Sequence, residues 1–106
     1  MQALEELIND AFNAAAAATD EYIRANPDQW YPCGFAWVNI RPARGPLITV
    51  LKKMKIGRTG YSGGWDIWNP SGHSTQCMYA KLEGAQAFAD VLARHGYKCI
   101  ALSRID

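Results

Sequence analysis

Apolar side chains recur every three or four residues over 3–25. Leu4, Leu7, Ile8, Ala11, Ala15, Ala18 and Tyr22 fall on one face, which predicts an amphipathic helix. The run Ala14–Ala18 strengthens helix propensity and lets another element come close. Asn26-Pro27 ends the pattern, because the residue before proline is steered out of the helical region. From 33 to 41 the period changes to two. Gly34, Ala36, Val38 and Ile40 alternate with Phe35, Trp37, Asn39 and Arg41, which predicts a strand with two unlike faces. Pro42 stops it. Helical spacing returns at Gly45-Pro46, where proline suits a first turn. Leu47, Val50, Leu51 and Met54 form the stripe of a short helix reaching about residue 55, and Lys52 and Lys53 fall off that stripe.

Residues 57–64, Gly-Arg-Thr-Gly-Tyr-Ser-Gly-Gly, read as a glycine-rich loop. Trp65–Trp68 and Ser74–Tyr79 flank a turn at Asn69-Pro70-Ser71-Gly72, and together they predict a β-hairpin. A second long helix is expected over 81–95 from Leu82, Ala85, Phe88, Ala89 and Leu92, with Gly96 closing it. Tyr97 to Ser103 is a final strand. The expected order is an acidic N-terminal helix in 1–28, then β-α-β-β-α-β over 33–106, within a single domain covering 1–106. This is an α+β chain of the ferredoxin-like βαββαβ pattern, with a four-stranded antiparallel sheet and both later helices on one face. The opposite face is left to solvent, to a ligand or to the N-terminal helix.

Charge sharpens this picture. Residues 1–28 hold six acids, Glu5, Glu6, Asp10, Asp20, Glu21 and Asp28, against Arg24 alone. Residues 29–65 hold no acid and six cations, Arg41, Arg44, Lys52, Lys53, Lys55 and Arg58. Residues 66–106 balance at four of each, so the net charge of +1 hides blocks of −5, +6 and 0. A local field acts on an approaching ligand even when the total is near zero. No apolar run nears the roughly 20 residues of a membrane span, and the start lacks a basic signal region, so a cytoplasmic protein without membrane partners is expected. Cys33, Cys77 and Cys99 are odd in number and show no C-x-x-C spacing. They read as small buried hydrophobes rather than a disulfide framework or a thiolate metal site.

Arginines can grip phosphate and glycine-freed amides can cradle it. The candidate ligand-binding residues are therefore Arg41, Arg44, Arg58, Tyr61, Trp65, Trp68, Lys52 and Lys53. Trp65 and Trp68 would lie on opposite faces of their strand, one in the core and one free to stack. The P-loop and dinucleotide fingerprints are absent. His73 in a turn and His95 at a helix end read as structural, so neither catalytic residues, nor metal, nor cofactor are expected. The octamer Cys33–Ile40 resembles the RNP1 signature of RNA-recognition motifs in its order of glycine, aromatic, small, aromatic, aliphatic. It departs from that signature in its leading Cys33 and in its place on the first strand. Those departures favour a face packed beneath the N-terminal helix. The string Gly57–Trp68, with Ala87–Gly96 and Ser103–Asp106, resembles small accessory proteins encoded by bacterial viruses. That resemblance spans 30–106 and implies a host-directed or defence-inhibiting role.

The functional expectation is a non-enzymatic binding protein that captures a phosphate-bearing ligand, a nucleotide signal or nucleic acid. The alternatives are an inhibitor docking its basic aromatic surface on a host protein, and a small enzyme. The long alanine-rich helix would serve a homo-oligomer.

Overall fold

Helix α1 spans Leu4–Ala25 in the computed structural model, which describes residues 3–27 and 32–106. Glu5 and Glu6 lie in its first turn, where the helix dipole favours negative charge. Its buried residues are Leu7, Ile8, Ala11, Ala15 and Thr19. This stripe docks along a second long helix, α3, Met78–Arg94. Contact is close because both helices present small groups there. Gly84 of α3 faces Thr19 and Ala15 of α1, and Thr19 Oγ1 donates to the Ala80 carbonyl at 2.7 Å. Phe12 meets Phe88 edge-on, with centroids 4.9 Å apart. The apolar stripe of α1 is therefore occupied within the chain.

The strands are β1 (Gly34–Arg41), β2 (Arg58–Thr59), β3 (Trp65–Trp68) and β4 (Lys98–Ile105), and helix α2 (Pro46–Lys53) follows β1. They form one sheet in the order β2-β3-β1-β4, with every neighbouring pair antiparallel. Ala36, Val38 and Ile40 of β1 join Trp65, Ile67, Leu47, Ile48, Leu51, Phe88 and Leu92 in one buried cluster. The helices thus cover one face of the sheet.

The expected hairpin between 65–68 and 74–79 is not the one that forms. β3 pairs instead with β2, Arg58 opposite Asp66 and Thr59 opposite Trp65, so the glycine-rich loop is itself the hairpin turn. Gly60 N donates to Gly64 O at 2.9 Å to close it. Segment 69–77 satisfies part of its backbone locally, as short polar side chains allow. Asn69 Nδ2 donates to the His73 carbonyl, Thr75 N to His73 Nδ1, and Cys77 N to Thr75 Oγ1. Cys77 then caps α3, its Sγ accepting from Ala80 N. Met78 and Ala80 are buried by the helix that starts there, so residues with strand-like composition enter α3 one turn before its predicted start.

Candidate functional site

In an antiparallel pair, residues directly opposite each other share a face. On the face away from the helices, the register therefore sets Trp37 between Trp68 and Leu102, and Asn39 between Asp66 and Ile100. The same face carries the opposed pairs Phe35 with Arg104 and Arg41 with Lys98, and Arg58 opposite Asp66. The aromatics are not beneath α1. That helix spends its apolar stripe on α3, and the face stays open: Phe35 is 36% and Ile100 55% exposed.

Three rings form its centre. Trp37 and Trp68 stack with centroids 4.4 Å apart and planes 18° from parallel. Phe35 meets Trp68 edge-on at 6.1 Å. Both arrangements suit the ring quadrupole, negative on the face and positive at the edge. Cations lie against two of the three rings. The Arg58 guanidinium sits 5.5 Å from the Trp68 centroid. Arg104 and Lys81 each lie 5.6 Å from the Phe35 centroid. These distances fall inside the range of cation–π attraction. Lys81 Nζ also donates to the Gly34 carbonyl at 3.0 Å, which fixes its position at the ring. Trp68 Nε1 is buried and has no hydrogen-bond partner among the described residues, so the stack carries a desolvation cost.

Beside the rings lies a polar lattice that shapes the hairpin. Asn39, 3% exposed, donates through Nδ2 to Asp66 Oδ1 at 2.7 Å and to the Gly63 carbonyl at 2.9 Å. Arg41 Nε donates to Asn39 Oδ1 at 2.9 Å, and its terminal nitrogen to the Ser62 carbonyl at 3.0 Å. Gly64 lies so close that a Cβ there would come within 2.9 Å of the Asn39 amide and the Ile40 carbonyl, and its φ is +73°. Only glycine fits that turn.

Two open concavities flank the ring row. One, of about 390 Å³, is lined by Phe35, Lys81, Cys33, His73, Thr75 and Asp106 among others. The other, of about 380 Å³, is lined by Gly57, Arg58, Asp66 and Trp68.

The predicted site residues are dispersed over the fold. Arg58 and Trp68 stand together on the open face. Arg41 clamps the hairpin turn. Trp65 points into the core, 8% exposed, with Nε1 donating to the Ile56 carbonyl at 3.0 Å and Lys52 Nζ 5.4 Å from its ring. Lys52 and Lys53 belong to α2, on the helical side. Tyr61 projects fully exposed from the hairpin tip, and Arg44 is exposed between β1 and α2. Phe35, Trp37, Lys81, Lys98 and Arg104 join the site from outside the predicted set. The alternation in β1 signals the first two, but the cations belong to a charge-balanced stretch and give no sequence signal.

Among the described residues, no group of three His, Cys, Asp or Glu is placed to hold a metal ion. No helix among them is long and apolar enough to cross a membrane. The chain is an α+β protein with one helix-covered sheet face and one aromatic, cation-rimmed face that no described element covers. Comparison with known proteins adds no relative: no family model matches it, and no curated protein or solved structure is significantly similar to it.

Proposed function

We propose that this protein binds single-stranded nucleic acid on its open sheet face. Unpaired bases stack on the Phe35–Trp37–Trp68 cluster, and Arg58, Arg104 and Lys81 meet the phosphates. The observation that carries this reading is the cluster of three rings on the open sheet face, with cations set against Phe35 and Trp68. Aromatic side chains on an open sheet face bind bases irrespective of sequence, because every base has a π-face. Duplex bases are already stacked, so such a platform favours single strands. The RNP1-like placement of Phe35 and Trp37 supports the same reading, now on a central strand. So does the ferredoxin-like arrangement, which we read from the β2-β3-β1-β4 order. A host-directed role, of the kind implied by the resemblance to viral accessory proteins, would act through this surface.

The test is a tryptophan-fluorescence titration with oligouridylate and oligothymidylate at several salt concentrations. Binding should weaken as salt rises, since contacted phosphates release counterions. Phe35→Ala should weaken binding by about 5- to 150-fold, the equivalent of roughly 1–3 kcal/mol per stacked base. The variant should still fold, because the ring lies outside the buried core cluster. Unchanged affinity in that variant, or no binding by either oligomer, refutes the proposal. Stoichiometric capture of a protein partner by a nucleic-acid-free sample would favour the inhibitor reading instead.

A further inference from the structure

Cys33 and Cys77 face each other across a single antiparallel bridge. Gly34 N donates to the Gln76 carbonyl at 3.2 Å, and Met78 N to the Pro32 carbonyl at 3.0 Å. These bonds flank the cysteine pair on either side, so the pair itself occupies the non-hydrogen-bonded position. Directly opposed residues in that position have Cα atoms about 4.5 Å apart, the closest approach in an antiparallel ladder. A disulfide spans Cα separations of about 4.4–6.8 Å, a range that includes the usual separation at this ladder position. Their side chains share one side of the bridge.

The two thiols differ in access. Cys33 is exposed and lines the concavity of about 390 Å³ at the Phe35 end of the ring row. Cys77 is 3% exposed, behind it at the start of α3. Cys99, on β4, is half-buried, and its Sγ donates to the Ala89 carbonyl at 3.2 Å.

We infer that Cys33 and Cys77 form a thiol–disulfide site that reacts with small disulfides of the glutathione class. The Cys33 thiolate attacks one sulfur of the small disulfide and expels one small thiol, leaving a mixed disulfide on Cys33. The Cys77 sulfur, losing its proton, then attacks the Cys33 sulfur and expels the second small thiol. Two protein thiols are oxidised and one small disulfide is reduced to two thiols. The product staples the start of β1 to the start of α3. The site stands independently of what the open face binds.

The experiment uses the full chain, exposed to oxidised glutathione, quenched with an alkylating reagent and digested without reduction for mass spectrometry. A peptide joined through Cys33 and Cys77, with Cys99 alkylated, is expected. With Cys77→Ser, glutathione should persist on Cys33. With Cys33→Ser, a substitution at an exposed position, the remaining thiols should resist glutathionylation at least ten-fold more than Cys33 does. A mixed disulfide that persists on Cys33 in the parent chain would overturn the inference. So would a link through Cys99, or complete alkylation of all three thiols.

Discussion

Gly84→Ala sets two well-measured effects against each other. Gly84 lies inside α3, where alanine is intrinsically better by about 1 kcal/mol. On an isolated helix the substitution would stabilise. Here the added Cβ would lie 2.5 Å from Thr19 Oγ1, 2.9 Å from Ser71 Cβ and 3.1 Å from the Ala15 carbonyl oxygen. These neighbours cannot retreat freely. Thr19 is fully buried and bonded to Ala80 O at 2.7 Å, and the Ala15 carbonyl is part of the α1 backbone. Overpacking of this kind costs about 1–3 kcal/mol. Displacing the Thr19 hydrogen bond costs about 1 kcal/mol more. That second cost cancels the propensity gain, leaving a net destabilisation of about 1–3 kcal/mol.

Urea denaturation should show this as a lower midpoint at unchanged slope. Thr19→Ala removes the nearest of the three obstructing atoms. In that background Gly84→Ala should cost at least about 1 kcal/mol less, a coupling expected of residues in contact. A Gly84→Ala variant as stable as the parent, or the same cost in both backgrounds, refutes the close-approach argument.

Two further perturbations probe the polar lattice and the third thiol. Asn39→Ala leaves the buried Asp66 carboxylate without its 2.7 Å donor and should destabilise by about 1.5–3 kcal/mol; a loss below about 0.5 kcal/mol in urea would show that the lattice is ornamental to the fold. Burial, and then the nearby Asp90 carboxylate, push the Cys99 thiol up from 9.0 to about 11. The folded state therefore holds this proton more tightly than the unfolded state, so its contribution is intact below pH 9 and is lost as pH rises through about 11. Cys99→Ala should flatten the alkaline limb of the stability profile between those values, and an unchanged limb would exclude Cys99 as its source.

Element type was readable wherever one spacing ran long enough. The 3.6-residue stripes of α1 and α3 and the alternation through Phe35, Trp37, Asn39 and Arg41 gave elements within a few residues of those observed. The middle of the chain was not readable, for a local reason. Glycines at 57, 60, 63 and 64 suit a loop, yet two residues beside them, Arg58 and Thr59, suffice for a strand once Asn39 and Arg41 hold the turn. Ser74–Tyr79 looks extended in composition, but its hydroxyl, thiol and imidazole groups bond the nearby backbone and start a helix. The open face was hidden for a different reason. Whether α1 covers the aromatics depends on which partner its small-residue stripe prefers, and that was decided by Gly84, some sixty residues along the chain.

The acid-free block also changes meaning in three dimensions. Along the sequence, Lys52, Lys53, Arg41 and Arg58 belong together, and Arg104 and Lys81 belong elsewhere. The fold sends Lys52 to the Trp65 side, 5.4 Å from that ring, and ties Arg41 into the hairpin. It gathers Arg58, Lys81 and Arg104 around rings from β1 and β3. At 0.1 M salt, exposed charges more than about 10 Å apart are largely screened from each other. A ligand stacked on the rings should then feel the second set more strongly than Lys52 and Lys53. Lys52→Glu with Lys53→Glu and Arg58→Glu with Arg104→Glu change the net charge equally, so they separate total charge from placed charge. At about 0.1 M salt, oligonucleotide affinity should fall at least ten-fold in the Arg58/Arg104 pair and less than two-fold in the lysine pair. Equal losses would mean that the block acts as a diffuse field and that the ring row is not where the ligand sits.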